Sequence, residues 1–127
     1  MRSHVPSFAY IATPYTRYCK GPEEAWKAAC CVTAEFIRRG VPVYSPVAHT
    51  HPVAVYGGID PVDHALWMNA DQAMMEAASD LYVIQMPGWN ESKGVQMEIE
   101  EFTRTRKPIT YFTWPMLREL CDTEVRG

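Results

Sequence analysis

The sequence lacks the features that mark several large classes of protein. It has 12 Lys and Arg against 15 Asp and Glu, so it offers no cationic surplus for the backbone of a nucleic-acid polymer. Its four cysteines form no C-x-x-C pair, and we interpret them as reduced thiols. No apolar run approaches membrane-spanning length and the N-terminus does not resemble a signal peptide. We therefore expect a soluble, cytoplasmic protein with no membrane partner.

The 127 residues are enough for one well-packed core and too few for two. We expect a short tail over residues 1–7 and a single domain over residues 8–127. Neither an internal repeat nor a low-complexity segment interrupts that domain.

Apolar runs alternate with helical patterns along the domain. They predict strands at residues 8–12, 41–45, 80–85 and 108–113, and helices at residues 22–39, 60–79 and 92–106, with a short closing helix at residues 114–120. Residues 45–59, rich in Pro and Gly, read as an irregular loop. In the second helix the predicted core face consists of Val62, Leu66, Ala70, Ala73 and Ala77.

This alternation predicts an α/β domain of the single-domain Rossmann or flavodoxin-like kind. We expect a mainly parallel sheet of four or five strands with helices on both faces. Its first strand should be central, because it is apolar on both faces, and Pro42 places the second strand at an edge. Ligands bind such folds beyond the C-terminal ends of the strands, where residues 13–17, 45–59 and 87–94 converge.

Residues 87–98 form the most informative of these stretches. A polar, Gly-containing turn follows an apolar strand and leads into a helix that opens with Ser92 and Gly94. The first N–H groups of a helix have no partner within it and can hold an anion. Glu98 follows early in the helix, where the helix dipole favours its charged form, so we expect an ionised carboxylate.

The helix over residues 60–79 supplies a second acid. Asp71 shares a stripe with Asp63, Trp67 and Met74, and a carboxylate flanked by Trp and Met is a candidate for facing a ligand. A metal site is the alternative, because histidines and aspartates are close in sequence. Its ligands would be His49, His51, Asp60, Asp63 and His64, but no spacing typical of zinc sites fixes their geometry.

Several of these segments together resemble the nucleoside 2-deoxyribosyltransferase superfamily, which includes nucleoside 5′-monophosphate N-glycosidases and small uncharacterised bacterial and phage relatives. The segments are Tyr10-Ile11-Ala12-Thr13-Pro14-Tyr15, Ser45-Pro46 with His49, Asp71 before an apolar strand, and Ser92-x-Gly94-x-x-x-Glu98. In this order they span most of residues 8–112.

The resemblance implies cleavage of a deoxyribose–base N-glycosidic bond with Glu98 as the nucleophile. A carboxylate suits this role because the transition state is oxocarbenium-like. Asp71 matches the family aspartate that contacts the substrate and helps to protonate the leaving base. Tyr10 or Tyr15 could position the Glu98 carboxylate, with Tyr10 favoured because Tyr15 lies further into the turn. Gly94 would leave room for the sugar.

The same resemblance implies a nucleotide as substrate, because the monophosphate hydrolases hold a 5′-phosphate with a serine and backbone N–H groups. Ser92, Gly94 and Thr16 could do so here, with Arg17 as a charged clamp. The remaining predicted substrate contacts are Thr13, Tyr15, Ser45, His49 and Trp89. We expect neither a metal nor another cofactor, and a homo-oligomer, either dimer or tetramer. The alternative from a different class is a nucleotide-binding or sensing module without turnover.

Overall fold

The computed structural model describes residues 7–16 and 18–114. The elements in this part of the chain are β1 (Ala9–Ala12), α1 (Pro22–Arg38), β2 (Val43–Tyr44), α2 (Pro46–Gly57), α3 (His64–Ala77), β3 (Asp80–Gln85), α4 (Lys93–Arg104) and β4 (Ile109–Thr113). The predicted tail before Ser7, and the predicted closing helix after Trp114, lie outside the described residues. Within these bounds, no helix is both long enough and apolar enough to cross a membrane.

The four strands form one parallel sheet in the order β2-β1-β3-β4. All four residues of β1 are buried, which confirms the prediction of a central strand, and β2 lies at an edge as predicted. The chain moves from β1 to β2 on one side and later to β3 on the other. The order therefore reverses between β1 and β3, and this is the switch point at which such sheets bind ligands.

Alternate side chains of the sheet pack into two hydrophobic cores, one on each face. On one face, Tyr10 packs with Met75 of α3 and Phe102 of α4. On the other, Ile11 packs with Val32 and other residues of α1. Helices thus cover both faces, and the predicted single-domain Rossmann or flavodoxin-like fold is confirmed.

The prediction of an irregular loop at residues 45–59 was wrong, because most of this segment is α2. The Ser45 side chain accepts a hydrogen bond from the backbone N–H of Ala48 at 3.1 Å, and Pro46 takes the first helical position. Gly58 ends the helix with φ of 71°, a left-handed conformation that glycine adopts without strain. The Pro and Gly residues that suggested a loop are largely the start and stop signals of a helix.

Two predictions about α3 were also wrong. The helix was predicted to begin at residue 60, but it begins at His64 and is capped by Asp63, which accepts from the N–H of Leu66 at 3.3 Å. Asp60 instead closes a turn by accepting from the N–H of Val62. The predicted core face points outwards, and Leu66 is 50% exposed. Met75 is buried instead. Long methionine side chains bury more apolar area than the alanines of the opposite face, so they determine which face turns inwards.

Lys107 fixes the C-terminal end of α3. Its ammonium group donates hydrogen bonds to the carbonyl oxygens of Met75, Glu76 and Ala78 at 2.9, 2.8 and 2.7 Å. These carbonyls belong to the last turn of the helix and the residue after it, where a positive charge is favoured. The orientation of α3, and with it the position of Asp71, is therefore anchored to the loop before β4.

Candidate active site

A pocket lies beyond the C-terminal ends of β1 and β3, at the switch point of the sheet. An outer lobe of about 100 Å³ is lined by the segment after β1, by α2 and α3, and by the start of α4. An inner lobe of about 60 Å³ reaches Tyr10 in the core. Both lobes are lined by His64, Trp67, Asp71, Gly94 and Glu98. The carboxyl groups of Asp71 and Glu98, the two predicted catalytic acids, thus lie where the two lobes meet.

Glu98 occupies the sixth position of α4 and is partly buried. Burial raises the pKa of its carboxyl well above the usual value, and the charge of Asp71 raises it further, while Tyr10 opposes both. The dipole effect is confined to the first turn of a helix, which Glu98 does not occupy. The prediction that the dipole keeps this group ionised is therefore corrected, since its surroundings favour the protonated form.

Tyr10 is the phenol that faces Glu98. It is fully buried, and its hydroxyl has no hydrogen-bond partner of good geometry. Burial raises its pKa, and the charges of Glu98 and Asp71, together with a hydrogen-bonding interaction with Glu98, raise it further. The phenol therefore stays protonated and can donate to the Glu98 carboxylate. Tyr15, the alternative, points its hydroxyl at His51 instead.

Asp71 lies on α3, across the pocket from Glu98 and half-buried. Burial raises the pKa of its carboxyl, and the charge of His49 partly opposes that rise. Two neighbouring carboxyl groups with raised proton affinity hold protons as a coupled pair. Such a pair can keep one acid and one base at the same pH, which general acid catalysis beside a nucleophile requires.

The opposite end of the outer lobe is rich in hydroxyl groups. Thr13, Thr16 and Ser92 line it beside the N-terminus of α4. Ser92 is buried and accepts from the N–H of Val95 at 3.3 Å, which leaves its own hydroxyl hydrogen available. Thr13 is only 4% exposed, and its hydroxyl oxygen has no hydrogen-bond partner. A buried hydroxyl without a partner beside the free N–H groups of a helix suits an anionic ligand.

Gly94 separates this polar end from Glu98, one helical turn further on. A Cβ atom at this position would meet no protein atom closer than the Ser92 hydroxyl oxygen, at 3.8 Å. The protein itself would thus tolerate alanine here. The absent side chain instead keeps the shared wall of the two lobes open.

A single family model covers all the strands and helices described above. A family model described as a domain of unknown function, DUF1937, matches residues 7–114. The chain belongs to the DUF1937 family. No curated protein matches it.

Most of the predicted site residues come together in the DUF1937 pocket, but some do not. Ser45 is buried and caps α2, and Trp89 packs against the core and against Tyr111, with ring centroids 5.9 Å apart. Neither lines the two lobes, so the structure gives both residues structural roles, and their substrate contacts stay predictions. Residues near them in the chain line the pocket, whereas the side chains of Ser45 and Trp89 contact α2 and Tyr111. Arg17, the predicted phosphate clamp, lies outside the described residues.

His49 also stays outside both lobes and is exposed. Its ring lies 6.0 Å from that of Tyr44, and burial together with the charge of Asp71 raises the pKa of Tyr44 to about 12. The structure thus does not bring His49 into the pocket lining, and its contact with substrate stays a prediction. This histidine acts on Asp71 electrostatically, from beyond the pocket wall.

Sequence reasoning missed several lining residues of the DUF1937 pocket. Pro46, Val47 and Thr50 reach it because residues 46–57 are helical, and Pro61 and His64 reach it from the start of α3. The Ser45-Pro46 pair was the available signal, since Ser at a helix cap followed by Pro is a common helix start. The sequence pattern indicates His64 only as a metal ligand.

The described residues do not support the metal alternative. Among residues 7–16 and 18–114, no group of three His, Cys, Asp or Glu side chains is arranged to hold a metal ion. His51 is hydrogen-bonded to Tyr15, and Asp60 and Asp63 serve as turn and helix caps. The histidines and aspartates that are close in sequence thus have separate local roles.

Proposed function

We propose that this DUF1937 domain cleaves the N-glycosidic bond of a deoxynucleoside 5′-monophosphate, by hydrolysis or by transfer to a second base. The observation that carries the proposal is the pairing of Glu98 and Asp71 across one pocket, with a hydroxyl-lined helix N-terminus at its outer end. This arrangement matches the three parts of the substrate. The carboxyl groups would act at the glycosidic bond, Gly94 would leave room for the deoxyribose, and the hydroxyls would hold the phosphate.

In the first step, an oxygen of the Glu98 carboxylate bonds to the anomeric carbon as the bond from that carbon to the base nitrogen breaks. The electron pair of the broken bond leaves with the base, which takes up a proton from Asp71. Tyr10 donates to the Glu98 carboxylate and orients it. Water or a second base then displaces Glu98 from the sugar and gives a proton to Asp71, which restores both groups.

Replacing Thr13 with Val tests the phosphate end of the pocket. We expect T13V to weaken deoxynucleotide binding by about 10- to 100-fold, the effect of losing one hydrogen bond to a charged group. Nucleoside binding should hardly change. The free protein should become slightly more stable, because a buried hydroxyl without a partner is removed. Calorimetric titration with both ligands and a thermal melt measure these effects.

The matched control is Thr33→Val on α1, where the hydroxyl donates to the carbonyl of Ala29 at 2.7 Å, away from the pocket. T33V should leave both affinities unchanged. If T13V weakened nucleotide and nucleoside binding equally, the phosphate would not lie at this end.

We also propose that the domain forms a homo-oligomer through the outward-facing side of α2 and α3. Tyr56, Val62 and Leu66 are 89%, 48% and 50% exposed, and such side chains, where they form a contiguous apolar patch, mark a contact surface. We expect light scattering to give a multiple of the 14.5 kDa chain mass, and Leu66→Asp to reduce it. Ile37→Asp on α1, equally apolar and 59% exposed, should not. A monomer at all concentrations would contradict the proposal.

A cytoplasmic location remains part of the proposal. Cys19, Cys30 and Cys31 are free thiols, which is the expected state in a reducing compartment.

A further inference from the structure

Behind the pocket, Tyr15 belongs to a cluster that the proposed chemistry does not use. Its hydroxyl oxygen lies 2.7 Å from Nδ1 of His51. The His51 ring in turn stacks on Trp26 of α1, with ring centroids 4.9 Å apart and planes inclined by 25°. Tyr15 lines the outer lobe, whereas His51 and Trp26 do not. His51 can therefore reach a ligand only through Tyr15.

The hydrogen bond between these two groups has two possible directions, and the direction depends on whether Nδ1 of His51 carries a hydrogen. With a neutral imidazole whose Nδ1 carries no hydrogen, the phenol donates to His51 and its oxygen can only accept from a ligand. In the imidazolium form, Nδ1–H donates to the phenol oxygen, and the phenol hydrogen is free to point into the pocket. Burial raises the pKa of Tyr15, so the phenol keeps this hydrogen in both arrangements.

We propose that His51 is a positioning residue whose protonated form turns Tyr15 into a hydrogen-bond donor towards the anionic group held in the outer lobe. The inference rests on the proposed function in taking that group to be the phosphate of the substrate. The ligand class is a tetrahedral oxyanion. The site should bind it more tightly when His51 carries a proton.

Trp26 and several titratable groups surround His51. The face of the Trp26 indole attracts a cation. Among residues 7–16 and 18–114, the titratable groups near the cluster lie on α1, on α2 and across the pocket. They are His49 on α2, Glu23, Lys27 and Cys30 on α1 within about one turn of Trp26, and Asp71 and Glu98 across the pocket. By linkage, an anion must raise the proton affinity of His51 by the same factor as protonation tightens anion binding.

The test uses inorganic sulfate, whose charge stays constant between about pH 5 and pH 8, the range in which histidine titrates. The protonation of His51 is followed through its ring signals by NMR, with and without sulfate. We expect sulfate to raise the titration midpoint of His51 by about one pH unit, equivalent to about tenfold tighter binding to the protonated protein. His51→Gln should bind sulfate with an affinity that no longer falls between pH 5 and pH 8.

Tyr15→Phe separates positioning from simple attraction between charges. This variant keeps the ring of residue 15 and removes the hydroxyl that links His51 to the pocket, so sulfate should no longer shift the midpoint of His51. Tyr111→Phe, at a 47% exposed position of β4 that lines neither lobe, is the matched control and should behave as the wild type. A shift that survives in Y15F would overturn the inference, as would unshifted titration in the wild type or an absence of sulfate binding at pH 5.

None of these measurements involves turnover. Failure to release a base would therefore leave the linkage between His51 and the anion standing, as the property of a binding module. Base release without the linkage would instead remove this inference alone.

Discussion

Glu98→Gln is expected to reduce base release from a deoxynucleotide by at least about 10³-fold, which is the scale of losing a nucleophile. The amide keeps the shape of the side chain but cannot form a stable bond to the anomeric carbon. Ligand affinity should persist, because the hydroxyls at the outer end of the pocket are untouched. Chromatography of the free base, together with calorimetric titration of the nucleotide, measures the two effects separately.

Glu100→Gln is the matched control. Glu100 lies two residues further along α4, is exposed, and lines neither lobe of the pocket, so its replacement should leave turnover unchanged. Unchanged turnover in E98Q would remove Glu98 from the nucleophile position. If the wild-type protein binds deoxynucleotides and releases no base from any of them, the domain is a binding module.

The same E98Q protein provides a stability readout that does not depend on the substrate. Burial raises the pKa of Glu98 in the folded state, so the native protein binds more protons than the unfolded chain above the ordinary carboxyl pKa of about 4.3. The contribution of Glu98 to stability is thus complete below that pH and is lost as the pH rises through the folded-state pKa. Gln cannot ionise, so E98Q should melt higher than the wild type at pH 8 and differ little at pH 4. A wild-type protein that gained stability over this range relative to E98Q would contradict the raised pKa.

The parts of the fold that the sequence predicted well are those set by local patterns. The strand at Asp80–Gln85 was predicted to the residue, because an apolar run bounded by polar residues has little choice of structure in a parallel sheet. The helix after it was predicted to open with Ser92, within one residue of the observed start at Lys93, since a serine before a helical pattern is a local start signal. Both elements flank the site, which is why the sequence could place Glu98 and Ser92 in one predicted site.

The failures concern choices that tertiary packing makes. The local sequence does not determine whether the methionine or the alanine face of α3 packs against the core. In the structure Met75 is buried and Ala73 is exposed. The proton affinity of Glu98 likewise depends on burial against β1 and on a carboxyl group from another helix. The bond between Tyr15 and His51 joins residues 36 positions apart, and no periodicity predicts it.

Asp71→Asn is expected to slow base release by about 10² to 10⁴-fold, the usual contribution of a general acid. Asn cannot give a proton to the leaving base. The effect should fall almost wholly on the chemical step, since Asn retains the size and much of the polarity of Asp. Glu76→Gln, at an exposed position on the same helix, is the control and should leave the rate unchanged.

The pH profile of D71N should change in a defined direction. In the wild type, we expect activity to rise with pH as Glu98 ionises and to fall as the pair loses its last proton, so the two limbs should belong to the coupled pair. The charge of Asp71 raises the pKa of Glu98, and its removal should move the acid limb to lower pH. The alkaline fall should disappear, because no acid remains to be lost. Rates measured across the pH range in both proteins show these shifts directly.

The leaving group decides whether Asp71 is the acid or only a neighbour that orients the substrate. In a deoxyribosyl 5′-phosphate whose leaving group is the anion of a strong acid, the leaving group departs without being protonated. A general acid therefore contributes little to the cleavage of this compound. D71N should therefore cleave this compound at nearly the wild-type rate while remaining slow on a natural base. E98Q should cleave neither, because both substrates need the nucleophile. If D71N were equally impaired on both substrates, Asp71 would position the sugar rather than protonate the base, and the division of labour between the two carboxyl groups would have to be redrawn.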